Sequence, residues 1–244
     1  MSKSESVSPD YGNQSSFEDH RQQKNFDRMI NLSDGIFAFA MTLLALDLVT
    51  PVIIGQPSDA SLSIALENEF HSFLGFLVSF WVIAMCWVSH HRIFSYVART
   101  DSGLLRLNLI YLFFIVLIPF ATRVLNYGFL RVALDVFALI LIGASLMSSV
   151  LWRYVSNPER HLLYEGVSQD TTTWLSNRGF VGASVFLVSI FFAFVNPYIT
   201  LALWFLEFPI LILLDRRFGR RKASKDRDEK NERSKILSSN PISK

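Results

Sequence analysis

The sequence predicts an all-α membrane protein with six transmembrane helices, and three observations lead there. Hydrophobic residues make up 51% of the 244 positions and charged ones only 18%, too apolar a balance for a soluble chain of this size. Six apolar runs each approach the roughly 20 residues that cross a bilayer. Lys and Arg fall on alternate connections between those runs, as a multi-pass topology requires.

Residues 1–25 form a polar N-terminal arm that lacks the basic-then-apolar order of a secretory signal peptide. The first span covers about 28–50, too long for a signal-peptide core and followed by no small-residue cleavage site, so it is expected to be retained. A loop with two prolines and a glycine, "TPVIIGQPSDASLS", leads to a second span at about 64–88. The third and fourth spans fall at about 103–125 and 130–154. Residues 157–175 form the next sizeable connection, before a fifth span at 178–196 and a sixth at 197–215. The last two nearly abut at "VNPY", where Pro197 removes a donor and pushes Asn196 out of helical geometry, so a tight hairpin is expected.

From residue 216 the chain mixes both signs of charge without apolar periodicity, the composition of a solvated tail. Its first part, "RRFGRRK", suits anionic lipid head groups. Membrane lipids are therefore expected partners; nucleic acid is not, because acids interleave the basic residues. The expected organisation is an arm at 1–25, a membrane domain at 26–215 and a charged tail at 216–244.

Orientation follows from the basic residues. Lys3, Arg21, Lys24 and Arg28 precede the first span; Arg92, Arg99 and Arg106 lie about the second connection; Arg153, Arg160 and Arg178 lie about the fourth; and eleven more fall in the tail. Only Arg123 and Arg131 border the third connection. With six spans this places both termini in the cytoplasm.

The first span carries the candidate site. At 100° per residue, Phe39, Thr42, Leu43 and Leu46 share a stripe that runs back through Gly35 and Leu32 to Arg28. Ser33 and Asp34 point elsewhere, toward neighbouring helices. A carboxylate at membrane depth costs about 2.5 kcal/mol or more, so Asp34 needs a partner or water. Arg28, His90, His91 and Asn108 all stand near the same face of the membrane. Alternatively, "NLSDG" caps a first turn starting near Asn31. No internal repeat relates the two halves of the chain, so a symmetric pathway would need several copies.

Arg28-x-x-x-Leu32-Ser33-Asp34 followed by "IFAFAMTLLALDL" resembles the signature of the transmembrane protein 175 family, potassium channels of lysosomes with prokaryotic relatives. The likeness continues in Trp87-x-x-His90-x-x-x-Phe94, Asp101, Leu107-Asn108 and Ile118-Pro119-Phe120, and so spans about 26–125. The family usually has Phe where this chain has Leu32, and commonly Ile or Leu where it has Phe39. A single six-span unit is similar to the prokaryotic members, which implies a homotetramer in a prokaryotic cell membrane. The resemblance further implies a potassium pore on the four-fold axis lined by the first helix, with Phe39 as hydrophobic gate, Thr42 contributing to potassium preference, and Leu43 and Leu46 as further lining. It assigns Arg28, Ser33, Asp34, His90 and Asn108 to a hydrogen-bond network, with Trp87 packing alongside. Potassium is the permeant ion, and no cofactor is implied.

No "TVGYG" occurs, so a filter of stacked carbonyls is not available. Selectivity would fall to Thr42 hydroxyls, and gating to apolar rings that shed water. Asp47 is placed to concentrate cations at the pore mouth or to cap at the interface. No helix has the repeated arginines of a voltage sensor. The adjacent His90 and His91 point about 100° apart, with no ligand three or four residues after His90, and no nucleophile elbow or phosphate loop appears, so the chain is not read as an enzyme. The rival readings are a proton-conducting channel, a secondary transporter, which favours internal repeats and broken helices, and a membrane oligomer without transport.

Overall fold

The computed structural model describes residues 11–48, 53, 56–207, 209–213 and 215–216, and every regular element among them is helical. The chain divides into two compact units, Met1–Trp204 and Phe205–Lys244. The described residues of the second are helical, and the charged tail expected from 216 lies outside the described residues after Arg216. All packing below belongs to the first unit.

In chain order the helices are α1 (Tyr11–Leu46), α2 (Asp59–Asn68), α3 (Phe70–Phe94), α4 (Ser102–Leu125), α5 (Arg131–Val155) and α6 (Gln169–Phe192). Five helical stretches are long and apolar enough to cross a membrane: His20–Leu46 within α1, and the whole of α3, α4, α5 and α6. The expected sixth span is a shorter apolar helix, α7 (Pro197–Leu213), about 25 Å long at 1.5 Å per residue, against a hydrocarbon core of about 30 Å.

Polar residues at the helix ends explain where each begins. Ser58 and Ser61 form a reciprocal capping box on α2. Asp101 accepts from the Leu104 N–H at the start of α4, and Ser168 from the Thr171 N–H at the start of α6. Asn196 accepts from the Tyr198 N–H, with Pro197 as first helical residue, so "VNPY" both ends one helix and starts the next. The second expected span divides at Glu69 because Glu67, Asn68 and Glu69 interrupt its apolar run. α1 begins at Tyr11, well before its apolar part, so most of the polar arm is helical. α6 begins within the expected 157–175 connection because Ser168 caps it there.

Small residues let the helices approach closely. A methyl at Gly179 of α6 would meet Ser149 Oγ and the Ser145 carbonyl of α5, and one at Gly143 of α5 would meet the Phe114 ring of α4. Trp204 stacks on Phe137 of α5 at 4.8 Å and donates to Ser189 Oγ of α6 at 2.8 Å.

The connections identify the two ends of the bundle. Residues 96–99 and 162–164 pair through an isolated antiparallel bridge: the Ala98 N–H donates to Leu162 O at 2.8 Å, and the Tyr164 N–H to Tyr96 O at 3.0 Å. The α3–α4 and α5–α6 connections therefore share one end. Beside the bridge, Tyr154 O–H donates to Asp101 Oδ2 at 2.7 Å, and Arg160 donates to the Tyr154 hydroxyl at 2.8 Å. Phe26 lies 6.4 Å from Phe94, which brings the N-terminal half of α1 to the same end.

Candidate functional site

α1 has two unlike faces. Met29, Ser33, Phe37, Ala40 and Leu44 are buried, at spacings of four, four, three and four that keep one stripe turned toward α3 and α4. On the opposite face Leu32, Phe39 and Leu46 are 45%, 65% and 78% exposed, seven residues apart, with Gly35 and Thr42 exposed between them. Leucine and phenylalanine so placed leave 45–78% of their surface uncovered within their own subunit.

The buried face is tied to its neighbours by a polar chain running through an apolar interior. Ser33 O–H donates to Met29 O at 2.9 Å, so its oxygen is free to accept from Asn108 Nδ2 of α4, also at 2.9 Å. Asn108 Oδ1 lies 2.9 Å from His90 Nε2 of α3. Because this carbonyl oxygen can only accept, His90 carries its proton on Nε2. All three residues are buried, and Phe37, Phe94 and Tyr111 surround the imidazole, with Tyr111 stacked at 14° to it. Unpaired, each of these groups would cost roughly 1–3 kcal/mol; paired, they fix the rotation of α1 against two helices.

Asp34 lies about 140° from Phe39 around the helix and accepts from Trp87 Nε1–H of α3 at 2.8 Å. The indole, expected to pack alongside, is thus the direct partner of the carboxylate. The structure does not bring Arg28 to this network. Its side chain is exposed, with no hydrogen bond or ion pair among the described residues. It lines a groove between α1 and the start of α4 together with Gln22, Asn25, Leu32, Thr100 and Asp101.

Two further placements refine the stripe. Leu43, about 40° to one side of Phe39, is half-buried and faces Val116 of α4 across an apolar cavity of about 290 Å³. Asp47, about 80° round on the same flank, pairs with Arg123 at the far end of α4: Nε lies 2.8 Å and Nη2 2.6 Å from the same Oδ1. The Asp47 side chain is 10% exposed, so its charge is matched within the subunit, at a position where the sequence left open a cation-concentrating acid at the mouth or a cap at the interface. Thr42 O–H donates to the Phe39 carbonyl at 2.8 Å. This turns its proton into the helix and leaves the oxygen lone pairs directed outward.

Among the described residues no group of three or more His, Cys, Asp or Glu side chains is placed to hold a metal ion. The arrangement offers no nucleophile beside a base; what it offers is a rigidly held helix with an outward apolar face and one outward-facing hydroxyl oxygen.

Comparison with known proteins gives this arrangement a context. The family model described as endosomal/lysosomal potassium channel TMEM175 matches residues 28–119, a stretch that contains the stripe and all three buried members of the polar chain. A potassium channel of Streptomyces collinus is 34% identical over 181 residues, covering 72% of this chain and 85% of that one. A potassium channel of Chamaesiphon minutus is 30% identical over 190 residues, covering 75% and 92%. The crystal structure of a lysosomal potassium-selective channel TMEM175 homolog from Chamaesiphon minutus superposes with a TM-score of 0.63 at 29% identity, over 81% of this chain and 98% of that one.

Proposed function

The chain belongs to the transmembrane protein 175 family of potassium channels, and from that premise we propose that four copies surround a K⁺ pore whose wall is α1. It is a multi-pass membrane protein and an ion channel, not an enzyme. The observation that carries the pore reading is the unsatisfied face of α1. Leu32, Phe39 and Leu46 recur at one angle along about 21 Å of helix, while the reverse face is locked by buried hydrogen bonds. A cyclic arrangement turns that face onto a common axis.

In this reading the rings of Phe39 and Leu46, about 10 Å apart, form apolar constrictions that expel water before the atoms touch, and Phe39 is the gate. One turn beyond Phe39, a ring of Thr42 hydroxyl oxygens meets the ion. Their protons point into the helix, so the oxygens present lone pairs and replace a few waters. Potassium sheds those waters more readily than the more tightly hydrated sodium. Leu43 supports the wall from the α4 flank. The network of Ser33, Asp34, Trp87, His90 and Asn108 holds the helix at the required rotation. Asp47 concentrates cations only where Arg123 swings away from it.

α7 serves as the sixth crossing, which puts both termini on the side of the basic connections, the cytoplasm of a prokaryotic cell. The shared end of the α3–α4 and α5–α6 connections supports that topology, since both carry the basic residues.

The test is K⁺ efflux from liposomes containing the purified oligomer. Phe39→Ala is expected to raise the flux, and Thr42→Ala to lower the preference for K⁺ over Na⁺. Absence of any K⁺ flux from folded protein would overturn the channel reading. A subunit count other than four by mass in detergent would overturn the tetramer alone.

A further inference from the structure

From the ion pair at the outer end of α1 we infer a specificity role for Arg123: it keeps divalent cations out of the K⁺ path by occupying the carboxylate that would hold them. The role rests on the channel reading above. Asp47 follows Leu46 directly, at the end of the bundle away from the α3–α4 and α5–α6 connections. Its side chain is 10% exposed and that of Arg123 is 67% exposed. The acid is thus fixed in the wall, and the guanidinium is the movable partner.

The pairing leaves oxygen ligands over. Nε and Nη2 of Arg123 both approach Asp47 Oδ1, at 2.8 and 2.6 Å. Oδ2 is buried without a hydrogen-bond partner among the described residues, and so is Asn126 Oδ1. Asp47 and Asn126 line one recess of about 380 Å³, together with Leu46, Arg123 and Tyr127. In the four-fold assembly Leu46 faces the axis, and the recess beside it opens on the outer entrance. The other arginine of the α4–α5 connection, Arg131, is matched by Asp135 at 3.4 Å and adds no net charge there.

Carboxylate and amide oxygens are the ligands that Ca²⁺ and Mg²⁺ prefer. Four unmatched Asp47 side chains around an entrance would raise the local cation concentration about tenfold or more, and a doubly charged ion responds more strongly than K⁺. Conduction needs sites that release the ion as well as bind it, so a divalent ion held at such a ring blocks the K⁺ behind it. Arg123 removes that trap. Matched one to one with Asp47, it cancels the charge of the ring and covers Oδ1, and its tether keeps it from entering the pore. Its delocalised charge is weakly hydrated, which suits it to a carboxylate set in the wall. K⁺ needs no carboxylate in this reading, because its oxygen contacts lie at Thr42.

The assay is K⁺ current across planar bilayers, with calcium or magnesium chloride added to each side in turn and each variant normalised to its own divalent-free current. Arg123→Gln should lose half its current at about 1 mM Ca²⁺, the range of weak oxygen-ligand sites, and from one side only. Wild type should need at least about ten times more. Arg123→Lys should keep the resistance, and Asp47→Asn combined with Arg123→Gln should regain it, since the trapping carboxylate is gone. Asp47→Asn alone leaves the guanidinium unmatched; K⁺ current entering from that side should fall at low salt and recover near 1 M, where the screening length is about 3 Å. That variant carries the test should Arg123→Gln fail to assemble. Equal block of wild type and Arg123→Gln overturns the inference, as does block that persists in the double variant or an unaltered low-salt current in Asp47→Asn. Absence of any K⁺ current from folded wild type overturns the channel reading itself and the role of Arg123 with it.

Discussion

Deleting the Asn108 side chain should loosen α1 from the rest of the bundle by an amount the geometry bounds. Asn108→Ala removes two buried hydrogen bonds, to Ser33 and to His90, each 2.9 Å long. Interhelical side-chain hydrogen bonds in membranes average about 0.6 kcal/mol and reach about 1.7, so the pair is worth between about 1.2 and 3.4 kcal/mol. The upper part of that range is favoured because His90 Nε2 would be left without a partner in an apolar ring cage. The assay is reversible unfolding in mixed micelles, read from tryptophan fluorescence. A double-mutant cycle with Ser33→Ala isolates the direct bond, with an expected coupling of about 0.6 kcal/mol, roughly threefold in the equilibrium constant. Ser33→Ala keeps the helix intact, since the lost Met29 contact is a back-bond within one turn. If the two single losses simply add, to within about 0.2 kcal/mol, the Ser33–Asn108 bond does not couple the helices, and the claim that it fixes the rotation of α1 is wrong.

Two glycines should respond in opposite ways. Gly179→Leu thrusts a side chain into Ser149 and the Ser145 carbonyl, so it should cost about 1–3 kcal/mol or abolish folded protein in a thermal-melt assay; Gly35→Ala meets nothing within 4 Å and should stabilise α1 by about 0.5–1 kcal/mol. Asp47→Arg and Arg123→Asp should each lower the melting midpoint, and the double exchange should recover part of the loss; no recovery would mean that the ion pair does not hold the end of α1. Trp87→Phe leaves Asp34 without its indole donor and should lower the midpoint, and Asp34→Asn, which keeps an acceptor oxygen, should lower it less.

The parts of this fold that a sequence displays are those governed by a single period or a single solvent. Long apolar runs marked α4 and α5 to within a residue or so, because lipid imposes length directly. The outward stripe of α1 came from 100° arithmetic, and the structure leaves that face exposed. The helical arm from Tyr11 carried no such signal: a polar helix shows neither apolar period nor apolar run. The division at Glu69 was visible as three consecutive polar residues but was outweighed by the apolar residues on either side. The partners of single polar groups were harder still. Trp87 sits 53 residues from Asp34, and Arg123 sits 76 from Asp47; nothing local distinguishes an indole that donates to a carboxylate from one that merely packs. Arg28 shows the converse. The family resemblance assigns it to the network, yet its side chain leaves α1 on the opposite side from Ser33 and Asp34.

The bridge between residues 96–99 and 162–164 carries a consequence for how the chain is assembled. It joins the outer flanks of α4 and α5, and the Asp101–Tyr154–Arg160 cluster fastens the same end. At the opposite end that helix pair is joined by a short turn through Gly128, whose backbone φ of 101° suits glycine, and through Tyr127, which is 82% exposed. The hairpin is therefore clasped noncovalently where the chain leaves it and is covalently continuous where it needs no further support. Nicking the chain at 127–129 would leave two fragments that recognise each other through the clasp and the close contact of Gly143 with Phe114. The protein should then tolerate synthesis in two pieces, and that turn should accept an inserted reporter without disturbing α1.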